Sequence, residues 1–253
     1  MSAGRIATAT RMDLREQARR PLLIMLLVGL PFFFITRAIA ITEPLPRAIA
    51  LPGGGRALTT MRDLHGASMA TITIAFLAGL CGIFIMQSAR HTDRRLVLAG
   101  FSSMQSILPR MLVLAAGTVL VVVVSVLVTG LSFTPRLWGW FVVGNLLVGL
   151  TYASLGALAG ALIERLAATY LILFGAMLDL GVLQDPMFGN GTPHGLATVL
   201  PGYGPARVVV DASFASRFHA WPQLLIALGW AAVLAIVVIT VLGRSVKLAA
   251  DSR

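Results

Sequence analysis

Long apolar runs alternate with short polar segments along most of the chain. An apolar run of about 20 residues, when helical, matches the hydrocarbon thickness of a bilayer, whereas the helices of soluble proteins keep a polar face. The sequence therefore predicts an all-α membrane protein with six transmembrane helices in a single domain, residues 1–253. The predicted spans are 21–41, 67–87, 111–133, 138–163, 167–184 and 221–242.

The chain starts with a basic segment, Ser2–Arg20, that carries five arginines ahead of the first span. This composition predicts either an interfacial helix on the cytoplasmic leaflet or a solvated basic tail that sets the orientation of the protein. The basic start, the apolar run and Ala38–Ala40 together also imitate a cleavable signal peptide. Arg37 argues against cleavage, because it places a charge where such a peptide has small residues. We therefore predict that the first span is retained.

The two longest connecting segments on the outer side differ in character. Residues 42–66 are rich in proline and glycine, which predicts a loop. Residues 185–220 contain two apolar pieces, Leu196–Leu200 and Ala206–Phe214, that are too short to span a bilayer. Gly202–Pro205 breaks the chain between these pieces. We therefore predict an outer re-entrant hairpin before the last span.

The segment between the second and third spans, Ser88–Leu112, is both basic and partly apolar. Moving an arginine cluster across a bilayer is costly, so this segment should stay on the cytoplasmic side. Its centre is too apolar for a solvated loop and too short to span. We therefore predict a short cytoplasmic helix that has an apolar side available for packing. Its arginines are Arg90, Arg94, Arg95 and Arg110.

Composition supports a membrane protein and argues against a nucleic-acid-binding one. The chain is 57% hydrophobic and 12% charged, a balance that excludes an ordinary soluble domain. Its formal charge of +10 comes from residues that flank apolar runs and form no basic face with interleaved aromatics. With the N-terminus inside, thirteen of the twenty basic residues are cytoplasmic. This asymmetry predicts a multi-pass protein of the cell membrane with both termini in the cytoplasm.

No motif for catalysis, nucleotide binding or metal binding is present in the sequence. Gly53–Arg56 is glycine-rich, but it lacks the second glycine and the Lys-Ser/Thr pair of a phosphate-binding P-loop. The four histidines are scattered, and Cys81 is the single cysteine, so no pair has metal-ligand spacing. Serines and threonines in the spans have no neighbouring His/Asp partner. We predict no catalytic residue, no metal site and no cofactor in this chain.

Asp179 is the one acidic residue well inside a predicted span. An aspartate near the middle of a membrane costs about 2.5–3.5 kcal/mol on insertion scales. Asp179 is therefore a candidate for a substrate path or for a pair with Arg37, unless it lies close enough to the outer surface to be hydrated. Gly156 and Gly160 form a small-xxx-small pair, which predicts close helix packing inside the bundle.

The order of these features resembles the membrane permeases of type-2 ATP-binding-cassette (ABC) transporters. The likeness covers nearly the whole chain, from the basic N-terminal segment to the outer hairpin, VLPGYGPARVVV, before the last span. The cytoplasmic link, RHTDRRLVLAGFSSMQSILPRMLVLAAGTVL, is similar to the coupling segment of that family.

The resemblance implies a half-transporter, the transmembrane subunit of an exporter, that pairs with a second permease as a homodimer or heterodimer. Separate ATPase subunits would bind ATP and magnesium and drive transport. The link would form a coupling helix, with arginines that orient it and apolar residues that fit a groove on the ATPase. These residues are Arg90, Arg94 and Arg95, and Leu96, Leu98 and Phe101. A lipid, a drug-like amphiphile or a glycan is the expected kind of substrate.

Two other functions remain open on the sequence. A proton-linked carrier or an intramembrane enzyme could use Asp179 and would need no ATPase partner. A scaffold subunit would form complexes without moving a substrate.

Overall fold

The computed structural model describes residues 21–98, 103–188 and 192–251. The helices are α1 (Pro21–Ile41), α2 (Met61–Leu98), α3 (Ser103–Gly130), α4 (Trp138–Leu162), α5 (Arg165–Ala176), α6 (Tyr203–Phe214) and α7 (Trp221–Asp251). A π-helical segment, Met177–Leu183, continues α5, and a 3-10 helix spans Gly195–Val199. Two short strands, β1 (Pro46–Ala50) and β2 (Arg56–Thr60), form a hairpin.

Five helices among the described residues are long and apolar enough to cross a membrane. A shorter apolar helix, Leu27–Ile41, lies within α1. The prediction of a mostly helical, membrane-embedded protein is thereby confirmed, whereas the number six and the orientation stay predictions. The five are Met61–Ser88, Ile107–Gly130, Trp138–Leu162, Arg165–Leu183 and Trp221–Gly243.

The prediction of a plain loop over residues 42–66 is wrong. β1 and β2 pair antiparallel from Pro46 opposite Thr60 to Ala50 opposite Arg56. Gly54 has a φ of +81°, a conformation that side chains with a Cβ rarely adopt, and lies in the turn between the strands. The proline and glycine residues that suggested a loop instead lie at the start of β1 and in the turn of a hairpin.

The second long helix begins earlier than predicted. α2 starts at Met61, and not near Ala67, because residues at its start cap it. The Asp63 N–H donates to Thr60 Oγ1 at 3.1 Å, and the Thr60 hydroxyl donates to Asp63 Oδ2 at 2.9 Å. Thr60 thus acts as an N-cap that satisfies one free N–H group of the first helical turn, and the Thr60 and Asp63 side chains hold each other in place. β2 therefore passes directly into α2.

The separate short helix predicted within Ser88–Leu112 is not present in the described residues. α2 runs without interruption through Leu98, and α3 begins at Ser103. The residues from 89 to 98 include no glycine or proline, so nothing local ends α2 where its apolar span ends. Residues 99–102 lie outside the described residues, as does the N-terminal segment 1–20 for which an interfacial helix was predicted.

The centre of the bundle is the contact between α2 and α4. A Cβ added to Gly156 would overlap the carbonyl group of Gly79, and one on Gly82 would overlap the carbonyl of Ala153. A Cβ on Gly160 would lie 2.9 Å from the Ile83 Cα. The two backbones therefore touch, which confirms the close packing predicted for Gly156 and Gly160.

The outer helices of the bundle are much more exposed than this centre. About 72% of the span in α2 is buried, against 17% of the span in α7. Large apolar side chains of α7, including Leu225 and Ile236, are exposed. Such a surface is what lipid or a second membrane subunit covers, because water does not favour it.

The hairpin and the segments near it gather at one end of the bundle, which we call the hairpin end. The N–H groups of Arg136 and Leu137 donate to the last carbonyls of α6, those of Ser213 and Ala212, at 3.2 and 2.9 Å. Asp211 Oδ2 accepts the N–H groups of His219 and Ala220 at 2.7 and 3.2 Å, just before α7. α6 is buried from Gly204 to Phe214. The two helical pieces predicted here are present, and their re-entrant depth stays a prediction.

Candidate functional site

Asp179 lies at the junction of three parts of the chain. It belongs to the π-helical segment and is 5% exposed. Its Oδ2 accepts the Tyr152 hydroxyl of α4 at 2.7 Å and the Gly202 N–H at 2.8 Å, just before α6. Its Oδ1 accepts Gln184 Nε2 at 3.2 Å. One carboxylate therefore ties α4, the π-helical segment and the turn before α6 together.

Every group around Asp179 donates a hydrogen bond to it. The Gly202 N–H and Gln184 Nε2 can act only as donors, and the Tyr152 hydroxyl can donate as well. An ionised carboxylate is acceptor-only, so all three contacts are compatible with the charged form of Asp179. Gln184 Nε2 donates a second bond, to the Ala197 carbonyl at 2.7 Å, which fixes that amide.

Two local features allow this cluster to form. A Cβ on Gly202 would lie 2.6 Å from Asp179 Oδ2, so the N–H can reach the carboxylate only because residue 202 is glycine. The π-helical segment changes the direction of its side chains relative to a regular continuation of α5. Single π turns within helices are frequent at functional sites.

A groove of about 410 Å³ runs between α4 and α5, with Asp179 and Tyr152 among its lining residues. From Tyr152 to Leu162 its α4 wall is about 15 Å long at the helical rise of 1.5 Å per residue. The remaining lining is apolar. It comprises Leu155, Leu158, Ala159, Leu162, Ile163, Leu171, Ile172, Gly175, Ala176, Leu200 and Pro201. An apolar groove with one polar end can hold an amphiphile.

The pairing of Asp179 with Arg37 that the sequence suggested is not observed. Arg37 lies near the end of α1, and its side chain is exposed. The hydrogen-bond partners of Asp179 are instead Tyr152, Gln184 and Gly202. Asp179 is 5% exposed, so little of its surface faces bulk water. Asp179 remains a candidate for a substrate path.

The predicted coupling residues lie in the extension of α2 beyond its apolar span and in the link that follows it. The backbone of α2 includes Arg90, Arg94, Arg95, Leu96 and Leu98, but their side chains lie outside the described part of the protein. Phe101 lies outside the described residues altogether. Arg110, in the same basic stretch, is 7% exposed in α3. The coupling role of these residues stays a prediction.

A second buried acid, Asp185, follows the π-helical segment at the hairpin end. It is 7% exposed, and its Oδ1 accepts the Ser68 hydroxyl at 3.0 Å and the Met187 N–H at 2.9 Å. Burial raises the pKa of Asp185 to about 6, although both of these hydrogen bonds act to lower it. Asp185 therefore links α2 to the chain after α5 at some cost in solvation.

We expect Asp185→Asn to stabilise the protein at pH 7.5. The folded state holds the proton of Asp185 up to a pKa of about 6 and the unfolded state only to about 3.8, so the free energy of unfolding falls as pH rises between these values. The loss amounts to roughly 2–3 kcal/mol. Asparagine keeps the Oδ1 acceptor for Ser68 and Met187 without the charge.

Thermal unfolding of both proteins in mild detergent, at pH values between 4 and 7.5, measures this difference. The increase in Tm of Asp185→Asn over the wild type should be greatest at pH 7.5 and should disappear near pH 4. A variant that is less stable than the wild type at pH 7.5 would show that the carboxylate makes a favourable interaction there.

Several residues of the site were not singled out from the sequence. Tyr152 and Gln184 lie 27 and 5 residues from Asp179, and Gly202 lies 23 residues away. No local pattern marks a tyrosine or a glycine as the partner of a distant acid. Gln184 offered a weak signal, because a buried amide at the end of an apolar run needs partners of its own.

Comparison with known proteins assigns no family. No protein-family model matches the sequence, and no curated protein matches it. Among residues 21–98, 103–188 and 192–251, no group of three or more His, Cys, Asp or Glu side chains is placed to hold a metal ion.

Proposed function

We propose that this chain is the transmembrane subunit of an ABC exporter. Two such chains, or this chain and a different permease, would form the translocation path, and separate ATPase subunits would supply the energy. The observation that carries the proposal is the basic link between α2 and α3, together with a sequence that has no nucleotide-binding motif of its own.

The length of α2 supports a partner on the basic side of the membrane. Its apolar span ends at Ser88, but the helix continues to Leu98. Ten further residues extend it by about 15 Å. This extension, residues 89–98, contains Arg90, Arg94 and Arg95, which favour the aqueous side of a bilayer. A rigid helix that leaves the bilayer can transmit a movement of a partner to the bundle, because α2 packs at its centre.

The groove between α4 and α5 supports an amphiphile as the substrate. Its wall is apolar along most of its length, and the carboxylate of Asp179 supplies one polar end. Asp179 Oδ1 accepts one hydrogen bond, from Gln184, so it can accept another from a cationic or hydroxyl head group. The apolar part of the same molecule would lie against Leu155 and Leu171.

The proposal predicts that an ATPase with a P-loop co-purifies with this chain. A tagged chain, extracted from its native membrane in mild detergent, should carry the ATPase at a fixed ratio and show ATP hydrolysis. A tagged chain with residues 90–101 replaced by a flexible glycine-serine sequence should lose the ATPase. Purification of the intact chain without any ATPase would contradict the proposal.

A sharper prediction concerns the apolar residues of the link. Leu98→Asp and Phe101→Asp should each reduce ATPase-coupled transport about tenfold or more, since a charge in a docking groove replaces apolar burial with an unpaired ion. Transport by cells and ATPase activity in nanodiscs are the measurements. Leu58→Asp is the matched control, because Leu58 is 77% exposed in β2 at the hairpin end. Equal transport by all three variants would show that Leu98 and Phe101 have no coupling role.

Asp179 also supports a second candidate, a carrier that uses this acid and no ATPase. A buried carboxylate that lines a groove is a frequent component of proton-linked transport. Transport that persists in vesicles without ATP, and that stops in Asp179→Asn, would favour this candidate over the exporter.

A further inference from the structure

A second pocket, at the hairpin end, is built differently from the groove. It has a volume of about 440 Å³ and lies between the turn of the hairpin, the start of α6 and the first turn of α7. Two arginines line it, Arg56 at the start of β2 and Arg207 in α6. None of the described residues that line this pocket is an aspartate or a glutamate. The lining therefore favours an anion.

Arg207 is unusual because it is a buried cation at the pocket wall. Its side chain is 5% exposed, and its Nη2 donates to the Ala50 carbonyl at a long 3.4 Å. Burial lowers the pKa of Arg207, while Tyr203 and Asp211 act to raise it. Asp211 lies one turn further along α6 and does not line the pocket; its Oδ2 accepts the N–H groups of His219 and Ala220. Arg56 is exposed and adds a second charge from the start of β2.

Neutral polar groups complete the lining. Gln223 lines the pocket, and its Oε1 is buried without a hydrogen-bond partner among the described residues. A buried amide oxygen of this kind fits a hydroxyl group, which can donate to it. Tyr203 and Thr192 supply hydroxyl groups that can donate to an anion or accept from a ligand. The pocket thus offers cations and a hydroxyl acceptor together.

We propose that this pocket binds a phosphate ester that carries a hydroxyl group, such as a glycerol phosphate. The guanidinium groups of Arg56 and Arg207 contact the phosphate oxygens, because planar guanidinium groups match them in geometry and charge. Gln223 Oε1 accepts the hydroxyl of the ligand. The same chemistry occurs in a free ester and in a lipid head group. The proposal does not depend on the exporter function.

The full chain in phosphatidylcholine nanodiscs provides the test, with glycerol 3-phosphate titrated by calorimetry. Arg56→Ala should weaken binding about tenfold or more, since it removes a charge-assisted contact from an exposed side chain that the fold does not need. Arg207→Gln should weaken it further. Arg217→Ala is the matched control: Arg217 is exposed at the same end and does not line the pocket. Inorganic phosphate should bind more weakly than the ester.

A second arm distinguishes the two sources of the ligand. If the pocket binds a lipid head group, the wild type in nanodiscs that contain phosphatidylglycerol should keep that lipid bound in native mass spectrometry. Arg56→Ala should not. Retention of the lipid without binding of the soluble ester assigns the pocket to lipid, and the reverse assigns it to a soluble ligand. The proposal is overturned if neither binds, or if Arg217→Ala reduces binding as much as Arg56→Ala.

Discussion

Gly156→Ala should destabilise the protein by about 3 kcal/mol or more, which corresponds to a decrease in Tm of roughly 6–12 °C. The new methyl group would meet backbone atoms and not a side chain that can rotate away. It would lie 2.7 Å from the Gly79 carbonyl carbon and 2.9 Å from the Gly79 Cα. α2 and α4 would have to separate, and packing contacts would be lost along the interface of the two most buried spans.

Thermal unfolding in detergent, followed by size-exclusion chromatography, measures the effect. Gly229→Ala in α7 is the matched control, because a Cβ at residue 229 would meet nothing within 4 Å. That substitution should be neutral or stabilise the helix by about 0.5–1 kcal/mol, since alanine favours helix more than glycine does. If Gly156→Ala melts at the wild-type temperature, the two backbones are not in contact as described.

The helices could be predicted well from the sequence, because bilayer thickness fixes the length of each apolar run. α1 and α4 have bounds close to those predicted, Pro21–Ile41 and Trp138–Leu162. The early start of α2 had a local signal that the hydropathy pattern does not show: Thr60 and Asp63 have the spacing of a capping box. Hydropathy marks where a span ends in lipid, not where a helix ends in water.

The candidate site could be predicted only in part. Asp179 stands out because an acid within an apolar run needs partners. Its partners depend on how three segments pack, and the sequence instead suggested Arg37, the cation in a span on the same predicted side. The structure satisfies the acid with neutral donors from Tyr152, Gln184 and Gly202. Opposite charge therefore did not identify the partners of Asp179, which are neutral hydrogen-bond donors.

Asp179→Ala should lower the free energy of unfolding by about 3 kcal/mol. The substitution leaves the Tyr152 hydroxyl and the Gly202 N–H without their acceptor, and each buried donor without a partner costs about 1–3 kcal/mol. Gln184 loses less, because its Nε2 still donates to the Ala197 carbonyl. Removal of a buried charge offsets part of the loss. Thermal unfolding of this variant and of Tyr152→Phe, which removes one donor only, should give a larger decrease for Asp179→Ala.

Asp179→Asn separates this structural role from a role in transport. Asparagine can direct its oxygen at Tyr152 and Gly202, so it loses only the bond from Gln184, and we expect the fold to persist with a decrease in Tm of a few degrees. If the groove carries an amphiphile with a cationic head, loss of the charge should reduce transport of dodecylamine about tenfold or more, with dodecanol unaffected. If Asp179→Asn transports dodecylamine as fast as the wild type at equal protein level, Asp179 has no role in transport. Its role is then structural only: it connects α4, the π-helical segment and α6.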